Sequence, residues 1–188
     1  NNAVEARHDA IAANAKDLYP KELEQADLNL RSVTSKIEKN DTSVSQANIT
    51  KLEDSFRKVE MDSIKKEKLG PAQTVMQEAT KEGAAKLTPE TLAWANKRYA
   101  EDLSVIENNR HNSELVNKAS ADANQSATRL LKMVRNAKGS SAKNPEQMAK
   151  QIEKNELATD QAAQDKVQST ALIADYKNQL ATSSDRND

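Results

Sequence analysis

The chain contains no cysteine, which excludes disulfides, thiolate metal sites and cysteine nucleophiles together. It has 3 glycines and 4 prolines in 188 residues, too few turn residues for a many-stranded fold. No glycine-rich phosphate loop can be built from those three isolated glycines. Apolar or β-branched runs with period two are missing, which argues against sheets. No stretch approaches the roughly 20 apolar residues that span a bilayer. Charge of one sign is missing too: 28 Lys+Arg face 29 Asp+Glu, so no global field draws the chain onto nucleic acid.

What is present is alanine, charge and periodicity. Hydrophobic residues make up 36% and aromatics 3%, and much of the apolar share is alanine. Alanine buries little area per residue, so it favours closely approaching helices over a thick interior. A mean hydropathy of −0.88 would suit disorder, but apolar residues at helix spacing over most of the length argue against it. These properties predict an all-α, elongated antiparallel bundle.

The chain also repeats itself. Ala15 to Ala26, with the string Leu18-Tyr19-Pro20-Lys21-Glu22-Leu23, returns 69 positions later as Ala84 to Ala95, with Leu87-Thr88-Pro89-Glu90-Thr91-Leu92. Such a repeat fixes the structural unit. Proline suits the first turn of a helix, where its missing N–H would be unpaired anyway, so Pro20 and Pro89 read as helix starts, with Thr88 as N-cap. Leu23, Ala26, Leu30, Val33 and Ile37 form a 3-4-3-4 seam, echoed by Leu92, Ala95, Tyr99, Leu103 and Ile106. Upstream, Val4, His8, Ile11, Ala15 and Leu18 read as one helix face. Beyond the second turn the best register moves to an offset of 71, pairing Leu52 with Ala123, Phe56 with Ala127, Val59 with Leu130 and Ser63 with Val134.

The expected organisation is therefore a first helical repeat over 1–70, closed by Gly70-Pro71, and a second over 71–138, each a helical hairpin unit. A linker at 139–144, a long C-terminal helix over 145–182 and a polar tail at 183–188 follow. Ser43 with Gln46 has capping-box spacing, as does Asn144 with Gln147. The last helix carries a drifting stripe through Met148, Ile152, Ala162 or Ala163, Val167, Ala171, Ile173 or Ala174, and Leu180, weakest around 155–164, where a break or exposed stretch is expected. That stripe allows self-association through a coiled coil.

Candidate chemistry is sparse. Glu5 and His8 fit E-x-x-H, the spacing that carries metal in carboxylate-bridged bundles, but the only other histidine, His111, lies in an expected turn and no second motif exists. No metal, cofactor or catalytic residue is expected, and the chain reads as non-enzymatic. Arg129, Lys132, Arg135 and Lys138 recur in threes and could form an anion-binding end. Cations in a last helical turn more simply meet the negative end of the helix dipole. Trp94 lies one step off its seam, facing either a third helix or a partner.

The motif A-x-x-D-A-I at Ala6 to Ile11, followed by L-x-P-x-x-L-x-x-A at Leu18 to Ala26 and again at Leu87 to Ala95, resembles the helical region of bacterial outer-membrane lipoproteins that precedes an OmpA-type peptidoglycan-binding domain. The resemblance implies a periplasmic helical spacer or protein-interaction domain of a cell-envelope lipoprotein, with an unidentified envelope protein as partner. Outer-membrane tethering and peptidoglycan binding would come through segments outside this chain. The opening Asn1-Asn2, with no methionine, fits a processed form. The competing expectation is a helical-bundle sensor that takes a small hydrophobic or anionic ligand between its two copies.

Overall fold

The computed structural model describes residues 2–41 and 43–184, and side-chain surroundings as far as residue 177. The described residues are all-α: α1 (Asn2–Ala12), α2 (Ala15–Leu18), α3 (Pro20–Glu38), α4 (Gln46–Lys81), α5 (Ala84–Leu87), α6 (Pro89–Asn108), α7 (Ser113–Lys138) and α8 (Pro145–Ser184).

The repeat is written into the backbone. Tyr19, before Pro20, has φ −140 and ψ 56, and Thr88, before Pro89, has φ −144 and ψ 57. Each is preceded by a one-turn helix that opens from a left-handed residue, Asn14 at φ 62 and Gly83 at φ 102. Glycine reaches that region without cost, and asparagine is among the side chains that tolerate it best. Thr88 is the N-cap residue by position only, since its hydroxyl donates back to the Ala84 carbonyl.

Shifted by 69, α1 falls on 71–81, the second half of α4. Gly70-Pro71 therefore does not stop a helix, as its composition suggests; one 36-residue helix closes the first unit and opens the second. Pro71 occupies the place that Asn2 holds at the start of α1. An interior proline and glycine together cost about 4 kcal/mol. Packing on both sides of them offsets that, with Leu69 1% and Ala72 0% exposed in one shared core cluster.

Each unit is consequently three long helical segments around a small-residue core. In the first, α1, α3 and the start of α4 bury Ala3, Ala6, Ala10, Leu23, Ala26, Phe56 and Val59. In the second, the end of α4 with α6 and α7 buries Ala72, Ala79, Ala95, Ala123, Ala127 and Leu130. Ala3/Ala72, Ala10/Ala79 and Ala26/Ala95 are buried pairs at offset 69, and Leu52/Ala123, Phe56/Ala127, Val59/Leu130 and Ser63/Val134 are buried pairs at offset 71. The α3–α4 hairpin runs antiparallel: the Lys66 ammonium donates to the Leu18 carbonyl at the start of α3. In contrast, α4 and α7 run parallel, with the Ser120 hydroxyl donating to the Lys68 carbonyl and Arg135 held by Glu78 and Glu82 further along both helices.

Three expected local features differ. The buried face of α1 is Ala3, Ala6 and Ala10, one step from the expected one, leaving Val4 and His8 exposed. Small residues allow α1 to approach α4 closely, and the larger Val4 would hold it off. Ile37, the last residue of the first seam, is exposed, whereas its counterpart Ile106 is fully buried. The capping box before α4 sits at Ser45 and Asn48, where the Asn48 side chain accepts from the Ser45 N–H at 3.0 Å, instead of at Ser43 and Gln46. Ser43 N–H is taken by Asp41 at 2.8 Å.

Asn144 caps α8 as expected, accepting from the Gln147 N–H at 3.1 Å. That helix is unbroken through 155–164 and continues past 182 to Ser184, so it spans about 60 Å. Of the expected tail, 185–188 lie outside the described residues; the stripe residue Leu180 likewise falls among side chains not described. No helix is long and apolar enough to cross a membrane among the described residues.

Candidate functional site

Two places concentrate polar groups from distant parts of the sequence. The first is the groove between α6 and α7 in which α8 lies. Glu146, 5% exposed, sits one residue into α8 and reaches the start of α6. Its carboxylate accepts from the backbone N–H of Glu90 at 3.2 Å, the N–H of Thr91 at 2.7 Å and the Thr91 hydroxyl at 2.6 Å. A helix start has free N–H donors and a positive dipole end, and α6 has no side-chain cap of its own, so a residue of α8 supplies it. Burial pushes the Glu146 carboxyl up, but the Thr91 and Glu90 hydrogen bonds and the Lys150 charge outweigh it and leave it below its usual value.

Further along, Arg129 holds Glu153 through two parallel hydrogen bonds of 2.7 and 2.8 Å, and Lys132 pairs with Glu156 at 2.6 Å. The Arg129 hydrogen bonds hold the Glu153 carboxyl below its usual value. Arg129 also lies over the Trp94 ring, 4.8 Å from its centre. Ala149 packs below these pairs on Met133, Ala137 and Leu87.

All four sequence-flagged cations thus meet carboxylates. Arg129 and Lys132 fasten α7 to α8, while Arg135 and Lys138 fasten it to Glu78 and Glu82. Trp94 is 39% exposed, its face covered by Arg129, and it belongs with Arg129 to the rim of the α8 groove.

The second place is the junction between the two units. A cavity of about 320 Å³ opens between the end of α1, the middle of α4 and the α6–α7 turn. Glu60 reaches its wall from α4 with only 2% exposure, and Arg110 Nε and His111 Nε2 stand 3.3 and 3.6 Å from its two oxygens. Burial raises the Glu60 carboxyl, opposed by the Arg110 and His111 charges and assisted by Asp9. Asp9, Glu60 and His111 each offer a ligand atom within 4.8 Å of the others. That set would suit a cation poorly, because the Arg110 guanidinium already stands against the most buried member.

Glu5 and His8, the E-x-x-H pair, are both exposed and stand outside the junction cavity. Sequence reasoning placed His111 in a turn but did not find Glu60 or Asp9, because their meeting depends on two units sharing one helix.

Set against known proteins, the chain matches no family model, no curated protein and no solved structure.

Proposed function

We propose that this chain is a non-enzymatic helical strut and protein-interaction domain of a bacterial envelope lipoprotein, working in the periplasm with its tether and any peptidoglycan-binding part supplied by neighbouring segments. The observation that carries this reading is α4, one 36-residue helix belonging to both units. A shared helix ties the spacing of two units to its own length, about 54 Å, so the chain transmits position from end to end. The Glu60–Arg110 pair braces the joint, and α8 extends beyond the bundle with every described side chain from Leu157 onward exposed. Ion pairs between helices fix packing, and the buried Glu146 carboxylate, held by the Thr91 hydroxyl and two backbone N–H groups, serves as a helix cap.

Small-angle scattering tests the mechanical part. A compact chain of this length would have a radius of gyration of about 16 Å. The strut should measure clearly above that, and a value near 16 Å would refute it. Fractionation of cells carrying the full gene product tests the setting: recovery with the outer membrane is expected, and recovery with cytoplasmic proteins would overturn the envelope assignment.

A further inference from the structure

The two units differ in one large respect: the groove that α8 fills on the second unit is open on the first. A cavity of about 390 Å³ lies between α3 and α4, lined by Lys21, Glu22, Gln25, Lys58, Val59 and Asp62 among others. At the repeat offsets these correspond to Glu90, Thr91, Trp94, Arg129, Leu130 and Met133, the floor and rim on which α8 lies. The start of α3, like that of α6, has no side-chain cap, and among the described residues no α8 side chain reaches the Lys21 and Glu22 amides.

The missing occupant has a counterpart in the chain itself. Glu146-Gln147-Met148-Ala149, the part of α8 that caps α6 and packs on Met133, recurs 14 residues on as Asp160-Gln161-Ala162-Ala163. Ala163 lies eleven residues, close to three turns, beyond Ile152, and Val167 eleven beyond Glu156, so the face that docks on α7 continues along the free part of the helix. Val167 is 69% exposed.

We propose that the open groove of the first unit receives the Asp160–Val167 segment of α8 from a second copy of this chain. The Asp160 carboxylate approaches the Lys21 and Glu22 amides and the Lys21 ammonium, the Lys58 ammonium being already held by Asp62 at 2.6 Å, and Ala163 lies over Asp62 as Ala149 lies over Met133. A second copy is required because α8 is unbroken and already seated in its own groove, while its 160–167 side chains are all exposed. Each chain carries this groove and this segment once, so a two-fold dimer satisfies both. Asp62 and Lys66 replace the apolar Met133 and Ala137, making this groove more polar than its filled counterpart and the contact weaker than the one within the chain. This assignment goes beyond the strut reading, which a monomer would satisfy equally.

The test uses the full chain. Sedimentation equilibrium between roughly 5 and 200 µM, the range suited to a small interface, should show monomer passing to dimer. Ala163→Glu, at an exposed position that cannot disturb the bundle, sets a bulkier carboxylate against Asp62 and should weaken association about tenfold or more. Because the chain lacks cysteine, Asp62→Cys with Ala163→Cys should form a disulfide-linked dimer under mild oxidation, faster than either single variant, with helicity retained by circular dichroism. A monomer throughout, or association untouched by Ala163→Glu, would overturn the proposal. So would a disulfide within one chain, which marks folding back of α8, or equal crosslinking by Ala163→Cys alone, which marks an α8–α8 coiled coil.

Discussion

The carboxylate of Glu146 accepts two hydrogen bonds from Thr91, 55 residues earlier, and so one helix supplies the cap that another lacks. This ties the first turn of α8 to the start of α6 through one carboxylate. Charged hydrogen bonds of this kind are worth roughly 1.5–3 kcal/mol. Glu146→Gln should therefore loosen α8 from its groove by about 2 kcal/mol at neutral pH. The lone Trp94, stacked under Arg129, reports the loss through its fluorescence in a urea titration. The sign with pH follows from the lowered folded-state pKa. The stabilisation is present above the unfolded value and disappears as pH falls through the folded one, so wild type and variant should converge in acid. An undiminished difference at pH 2 to 3, below the ordinary range of a Glu carboxyl, would refute the capping role.

Glu60 behaves in the opposite sense. Its carboxyl is raised by burial, so the protonated form is favoured in the fold, and its contribution is complete below the unfolded pKa and lost as pH rises through the folded one. Removing Arg110 leaves that carboxylate buried without its cation. Arg110→Ala should cost about 3 kcal/mol at neutral pH and little below the ordinary Glu pKa. Thermal melts across pH 3 to 8 check this, with Glu60→Gln expected to flatten the dependence. Equal losses at both ends of the range would show that Arg110 acts by packing alone.

The repeat was legible from sequence because it rests on residues with hard conformational meaning: Pro20 and Pro89 start helices whatever surrounds them, and Leu23/Leu92 and Ala26/Ala95 follow at fixed steps. The all-α class and the slip to an offset of 71 came from the same source. The face of α1 was misread because alanine carries almost no hydropathy signal, so Val4 outweighed the Ala3-Ala6-Ala10 stripe that does the packing. Gly70-Pro71 was misread as a helix end because local propensity is blind to the Leu69 and Ala72 burial that carries the helix across. Glu146 and Glu60 could be found only in three dimensions, since their partners lie 55 and 50 residues away.

The paired left-handed residues allow a comparison within one molecule. Gly83 sits at φ 102, and a Cβ there would meet the Leu87 side chain at 3.5 Å, an ordinary contact, so the cost of a substitution is conformational. Gly83→Ala should lose about 1–2 kcal/mol in chemical denaturation, whereas Asn14→Gly in the other copy should change little. Gly83→Asn, which borrows the first copy's solution, should recover part of the loss. If Gly83→Ala were neutral, the left-handed break would not be what starts α5.

The shared helix offers the most direct way to alter the strut. A Cβ at Gly70 would meet nothing within 4 Å, and the residue lies inside an unbroken helix with no positive φ, so alanine fits without strain. Gly70→Ala should add about 0.5–1 kcal/mol by lowering the conformational freedom of the unfolded chain. Pro71→Ala should add more, because it restores an N–H donor that proline withholds from the helix. The two effects act on adjacent residues of one helical turn, so a double variant need not sum them. If the joint is held by α4 alone, both variants should slow amide exchange in residues 66–75 while leaving that of α3 and α6 unchanged. If exchange slowed equally in all three helices, the Glu60–Arg110 brace and the α6–α7 turn would share the load, and the stiffness of the strut would belong to the whole junction.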